Sequence, residues 1–316
     1  MGTNAELKLY KTLAETGDAS AQNRLGLMYQ DGDGVTQDDA EAVKWFLKAA
    51  EQGHADAQYN IGGRYQAGKG MPHNDAEAVT WFLKAAEQGH VNAQNQLGVI
   101  YQNGKGIPQD DAEAVKWFTK AAEQDHTEAQ NNLGLCYQTG RGIEKDFDEA
   151  RRWLRQAAEH DNTNAQNNLG LMYQNGEGVD QDYAEAIKWF VKAAEQGNLD
   201  AQYNLGCIYR DGKGVSMHYA TAIKWFTKAA EQGHALAQHN LGLMYSSGLQ
   251  DYAEAARWFL KAAEQGIADA QFNFGVILEE GRGVKKDPAS AEVWYGEAAE
   301  QGHEEAKKRL EKMQNS

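Results

Sequence analysis

Apolar and polar positions in this chain repeat with a period far longer than that of a single helix. All eight tryptophans (Trp45, Trp81, Trp117, Trp153, Trp189, Trp225, Trp258 and Trp294) fall 36 residues apart, except for one step of 33. A fixed period of that length marks a repeat array whose units each bury an apolar face against a neighbour. In the first unit, Ala19 to Gln30 reads as one helix, helix A. At about 100° per residue, Ala21, Gln22, Leu25, Gly26 and Tyr29 share its packing face. Ser20, Arg24, Leu27 and Asp31 lie opposite, flanked by Asn23. Asp31-Gly32-Asp33-Gly34-Val35 interrupts the pattern, and helix B starts near Asp38-Asp39 and runs to Gln52. Its apolar arc holds Ala42, Val43, Trp45, Phe46, Leu47, Ala49 and Ala50, leaving Glu41, Lys44, Lys48 and Glu51 for water. Early carboxylates suit a helix start, and Gly53 suits a left-handed stop. Pro72, Pro108 and Pro288 all fall between helices A and B, where a missing N–H costs little.

Alternating helices leave no room for strands. The expected fold is all-α: a right-handed α/α superhelical solenoid of eight helix-pair repeats with a half-repeat cap at each end. The repeats are 19–54, 55–90, 91–126, 127–162, 163–198, 199–234, 235–267 and 268–303. Residues 1–18 read as a lone helix B, and residues 304–316 as a lone helix A. The seventh repeat drops three loop residues at Tyr245-Ser246-Ser247-Gly248-Leu249-Gln250-Asp251, where a local change of superhelical twist is expected.

The net charge of −15 argues against nucleic acid and against an anionic membrane surface. No run of apolar residues approaches a membrane span. Met1 to Glu6 lacks a basic and then apolar leader pattern, so the expectation is a cytoplasmic protein, or a secreted or periplasmic one whose leader has been removed. Cys136 and Cys207 sit two repeats apart in different registers and read as small core thiols, not a disulfide.

The elements Ala21-Gln22, Leu25-Gly26, Tyr29, Gly32-x-Gly34-Val35, Trp45-Phe46 and Lys48-Ala49-Ala50-Glu51-Gln52-Gly53 resemble the Sel-1-like repeat family, a branch of the tetratricopeptide-type solenoids. The resemblance covers nearly the whole chain. It implies an adaptor or scaffold, of a kind common in bacterial signalling and host interaction, with helix A lining a concave surface. Some secreted relatives carry a disulfide in each repeat, a pattern that this chain lacks. The concave surface would then carry a column of Arg24, Asn60, Gln96, Asn132, Asn168, Asn204, Asn240 and Asn273. Beside it run Asn23, Tyr59, Asn95, Asn131, Asn167, Tyr203, His239 and Phe272. One turn further on come Leu27, Gly63, Val99, Leu135, Leu171, Cys207, Leu243 and Val276. An Asn amide both donates and accepts, so such a ladder suits the main chain of an extended peptide. The expected partner is a protein or peptide bound by a monomer, with Tyr59, Tyr203 and Phe272 as anchors and Leu135 and Leu171 as apolar contacts. The Gln22 column lies on the packing face and is expected to hydrogen-bond between helices.

Other chemistries find little support. The Gly-x-Gly elements follow a helix and lack Gly-Lys-Ser/Thr, so they read as turns rather than phosphate loops. Asp31-Gly32-Asp33-Gly34 lacks the remaining ligands of a calcium loop. His54, His90, His126, His234 and His303 share one register a repeat width apart, too far for one metal, and read as turn residues. No cofactor or metal is expected. None of Ser20, Ser216, Ser246, Ser247, Ser290 and Ser316 stands in a serine-nucleophile motif, so a non-catalytic protein is expected. Two alternatives stand beside the scaffold: a secreted hydrolase of β-lactamase or penicillin-binding type, as some relatives are described, and a purely structural spacer.

Overall fold

The computed structural model describes residues 4–315, so residues 1–3 and 316 of the expected caps lie outside it. It divides into two compact units, Met1–Ala165 and Gln166–Ser316. The first contains α1 (Asn4–Glu15), α2 (Ala19–Asp31), α3 (Asp39–Glu51), α4 (Ala55–Ala67), α5 (Asp75–Glu87), α6 (Val91–Asn103), α7 (Asp111–Ala122), α8 (Thr127–Thr139) and α9 (Phe147–Glu159). Helix α10 (Thr163–Asn175) runs over the division. The second unit continues with α11 (Tyr183–Glu195), α12 (Leu199–Asp211), α13 (Tyr219–Glu231), α14 (Ala235–Leu243), a π-helical turn at Met244–Leu249, α15 (Tyr252–Glu264), α16 (Ala268–Glu280), α17 (Pro288–Glu300) and α18 (Glu304–Gln314). The described residues are all-helical, with no strand, and the fold is an α/α repeat solenoid.

Local chemistry sets each boundary. Asp38 caps α3 by accepting from the backbone N–H groups of Ala40 and Glu41, and Gly32 ends α2 at φ 70°. The second glycine of Gly-x-Gly answers to crowding: a Cβ on Gly70 would lie 2.2 Å from the Asp39 carbonyl oxygen. At Gly70, Gly106, Gly142, Gly214 and Gly283 the connection presses onto the start of the preceding helix B, which is why these glycines form turns rather than a ligand loop.

The core forms between repeats. Helix B of one repeat, helix A of the next and the following tryptophan make one cluster: Phe82, Leu97, Ile100 and Trp117 share one, and Phe118, Leu133, Cys136 and Trp153 another. Depth belongs to the residue after each tryptophan, phenylalanine in six of the eight repeats: Phe118 is 0% exposed, against 7% for Trp117. Its ring lies on a helix-A glycine, since a Cβ on Gly98 would come within 2.4 Å of the Phe118 ring. Six of the eight tryptophans are roofed by a lysine three residues later, with Lys120 Nζ 3.9 Å from the Trp117 ring centre and Lys48 Nζ 4.2 Å from that of Trp45. Lys48 is exposed, as expected, and it also covers an aromatic face. Cys136 is buried in the core and Cys207 is half-buried, both unpaired. Burial pushes the Cys136 thiol up to about 11.

This ranking predicts that Phe118→Ala costs about 3–5 kcal/mol, more than Trp117→Ala, because the phenylalanine site cannot collapse onto a glycine backbone. Urea unfolding of both variants checks the order.

Candidate functional site: the helix-A face

Two hydrogen-bonded ladders stitch the repeats together. In the first, each buried helix-A glutamine donates to a carbonyl at the end of the preceding helix B, as Gln58 Nε2 does to Ala50 O at 3.2 Å. Its Oε1 then accepts from the glutamine that ends its own repeat's helix B, Gln88 Nε2 at 2.7 Å. The pattern recurs at Gln22, Gln94, Gln202, Gln238 and Gln271, as the packing-face assignment expects. It fails at one rung. His160 stands where the donor glutamine belongs, and Gln130 Oε1 is left buried without a partner.

The second ladder uses the asparagines themselves. Asn60 Nδ2 donates to Asn23 Oδ1 at 3.0 Å, Asn132 to Asn95 at 3.2 Å and Asn204 to Asn167 at 3.1 Å. Asn273 meets His239 Nε2 at 3.3 Å, and Asn168 is engaged as well. Each bond occupies one amide proton, so a half-buried Asn60, Asn132 or Asn204 keeps a second N–H and a carbonyl. Two expectations need correction. Asn23, Asn95 and Asn167 are buried acceptors of this ladder, and Asn131 is buried as well, so none of them is a wall residue. Asn240 is 7% exposed and bonded to Leu236 O and Arg210, so it does not face a ligand.

The aromatic column is also committed in part. Tyr59 stacks on His90 at 4.7 Å, Tyr203 on His234 at 4.8 Å and Phe272 on His303 at 4.6 Å. Each of these histidines caps the next helix A. His90 Nδ1 accepts from the Ala93 N–H at 3.1 Å, while Nε2 faces Asp56 Oδ1 at 3.4 Å. The same cap recurs at His54, His126, His234 and His303, with Asp18, Asn162 and Asn198 as its counterparts elsewhere. The turn role read from the register is thus a helix cap that also braces an aromatic ring, and it works only with neutral imidazole.

What packing leaves open lies at Gly63. The column holding Leu135 and Leu171, both half-buried, is apolar in most repeats. At Gly63 the side chain is missing, with nothing within 4 Å of where a Cβ would stand. A cavity of about 280 Å³ results, walled by Tyr59, Asn60, Gln66, Gln30 and Gln96 from three successive A helices. A second, of about 260 Å³, is lined by Asn273, Val276, Ser246 and Tyr252. The structure brings Tyr59 and Asn60 together at one cavity and sets Asn273 at the other. It leaves Asn132, Asn168, Asn204, Leu135, Leu171, Tyr203, His239 and Phe272 outside both linings. Sequence reasoning passed over Gly63, although a glycine in an apolar column was the available signal. Among the described residues no three His, Cys, Asp or Glu side chains gather as a metal site, and no helix is long and apolar enough to cross a membrane.

Stacked helix pairs with a cross-repeat core define an α/α repeat protein of the tetratricopeptide type, a fold typical of protein-interaction scaffolds. The chain belongs to the Sel1 repeat family, whose model matches residues 19–54, 55–90, 91–126, 127–162, 163–198, 199–234, 235–267 and 268–303. It is similar to a protective antigen present in uropathogenic Escherichia coli strains, with 41% identity and a TM-score of 0.80 over 97% of this chain and 66% of that one. A Sel1 repeat protein from Oxalobacter formigenes is 34% identical, with a TM-score of 0.80 over 98% of this chain and 91% of that one. Yeast Tom70 shares the fold at 16% identity and a TM-score of 0.51, over 95% of this chain and 65% of its own. No curated protein matches the sequence.

Two outcomes follow. His160→Gln supplies the missing donor to Gln130 and should stabilise the chain by about 1 kcal/mol in urea unfolding. Burial lowers the His90 and His126 pKa values below 6.5, against the opposing pull of Asp56 and Glu128. A depressed folded-state value means that their stabilisation is complete above about pH 6.5 and is lost as pH falls through the folded value. The double variant His90→Asn, His126→Asn keeps both caps without a titrating ring. Its melting temperature should fall less than that of the unsubstituted chain between about pH 7 and pH 5.

Proposed function

We propose that this chain is a non-catalytic scaffold that binds an extended segment of another protein along its helix-A face. The observation that carries the reading is the cavity at Gly63. It is open, large enough to admit an apolar side chain, and lined beside Arg64 and Lys69 by the amide groups of Gln30, Asn60, Gln66 and Gln96, which can meet a peptide backbone. Tyr59 offers a flat wall whose far face is braced by His90. In the same unit the half-buried Asn132 extends this amide chemistry along the face, with hydrogen-bonding capacity beyond its ladder bond. In the same reading α1 and α18 are half-repeat caps at the two ends of the array.

Gly63→Trp tests this directly. A Cβ there meets no neighbour, and replacing a mid-helix glycine favours the helix by roughly 0.5–1 kcal/mol. Binding to a peptide array of candidate partner segments should weaken by at least about tenfold while the melting temperature holds or rises. Retention of every peptide signal by a folded Gly63→Trp chain would contradict the reading.

A further inference from the structure

The short seventh repeat uncovers a second surface. In the other repeats, where the contact is seen, the Gly-x-Gly connection lies over the start of the preceding helix B. A Cβ on Gly214 would sit 2.1 Å from Tyr183 Cβ, and one on Gly283 2.9 Å from Tyr252 Cβ. Tyr183 and Tyr252 are half-buried as a result. The seventh repeat has no such loop, and its chain closes through the π-helical turn Met244–Leu249 instead. Gly248 has nothing within 4 Å, so the start of α13 is left without a cover. Tyr219 and Leu249 are each 58% exposed and Met217 62%.

The uncovered ground is a groove of about 540 Å³ lined mainly by Tyr219, Ile223, Leu243, Met244 and Leu249, with Arg210 its one charged lining residue. Its electrostatics differ from the rest of the chain. The first turns of α3, α5, α7, α9, α11 and α15 carry Asp or Glu, whereas those of α13 and α17 carry none, and where α17 keeps an aspartate cap, Asp287, α13 is capped by His218. Lys44, Lys116 and Lys188 each pair with a glutamate three residues earlier, but the residue three before Lys224 is Thr221. Arg210 is ion-paired with Asp211 at 2.6 Å, so the positive helix end and Lys224, next to the lining residue Ile223 on α13, supply the positive charge beside an apolar groove in a chain of net charge −15.

We infer that this groove docks an acidic amphipathic segment of a partner protein, which seats a bulky apolar residue between Tyr219 and Leu249 and sets carboxylates toward α13 and Lys224. A second copy of this chain is the poorer occupant, since two bodies of the same strong negative charge repel. The site is distinct from the cavity at Gly63, and neither depends on the other.

The test uses the full chain and a labelled helical peptide with leucine and tryptophan on one face and glutamates on the other, read by fluorescence anisotropy. A control peptide carries lysine for every glutamate. The expected result is binding of the acidic peptide alone, weakening as salt rises. Leu249→Glu, an exposed position, should weaken it by at least about tenfold. So should replacing residues 246–251 with a copy of residues 210–218, which restores the loop and covers Tyr219. Gly63→Trp should leave it unchanged. The inference is overturned if the acidic peptide does not bind, if the lysine peptide binds equally, or if both groove variants bind as the unsubstituted chain does. It is also overturned if sedimentation shows a dimer that Leu249→Glu dissolves, because the groove would then belong to a second copy.

Discussion

A glycine in each helix A lying against a buried ring or leucine in each helix B sets everything else in this protein. Gly26 against Phe46, Gly62 against Phe82 and Gly98 against Phe118 repeat one contact, in which any Cβ would enter the ring. Leu154 takes the ring's place at Gly134, and Tyr295 does so at Gly275. Close approach at that point brings the two helices near enough for the glutamine ladder to span them. It also places the tryptophan of helix B over the core of the preceding repeat. The hydrophobic contact supplies the energy, and the buried amides fix the register, because a slipped helix would strand them unpaired.

The same geometry divides labour between adjacent residues. Gly62 is fully committed to Phe82, while Gly63 faces open space one residue later. Packing therefore constrains one helical stripe and leaves the next free to vary, and that is where a repeat protein has room for function. Binding on the free stripe need not disturb the stripe beneath it.

Much of this was legible in the sequence. The tryptophan period gave the repeat number, and the helical wheel separated the Gln22 column from the Asn60 column. What the wheel could not give was contact between repeats. The bond from Asn60 to Asn23 spans 37 residues and the stack of Tyr59 on His90 spans 31, so neither lies on one helix. For that reason Asn23, Asn95 and Asn167 looked like wall residues and proved to be buried acceptors. Tryptophan drew the eye as the larger and rarer side chain, yet the ring that fits the glycine is the phenylalanine beside it. The three-residue deletion was visible, but its consequence was not. An uncovered Tyr219 follows only once the loops of the other repeats are seen lying on their neighbours.

The central functional claim is that partners engage the free stripe of helix A rather than the charged outer strip of helix B. A photo-crosslinking residue placed at position 63 or at position 116, in cells of the native source, tests it most directly. A crosslinked partner is expected from position 63 and none from position 116. A partner captured from position 116 alone would contradict it.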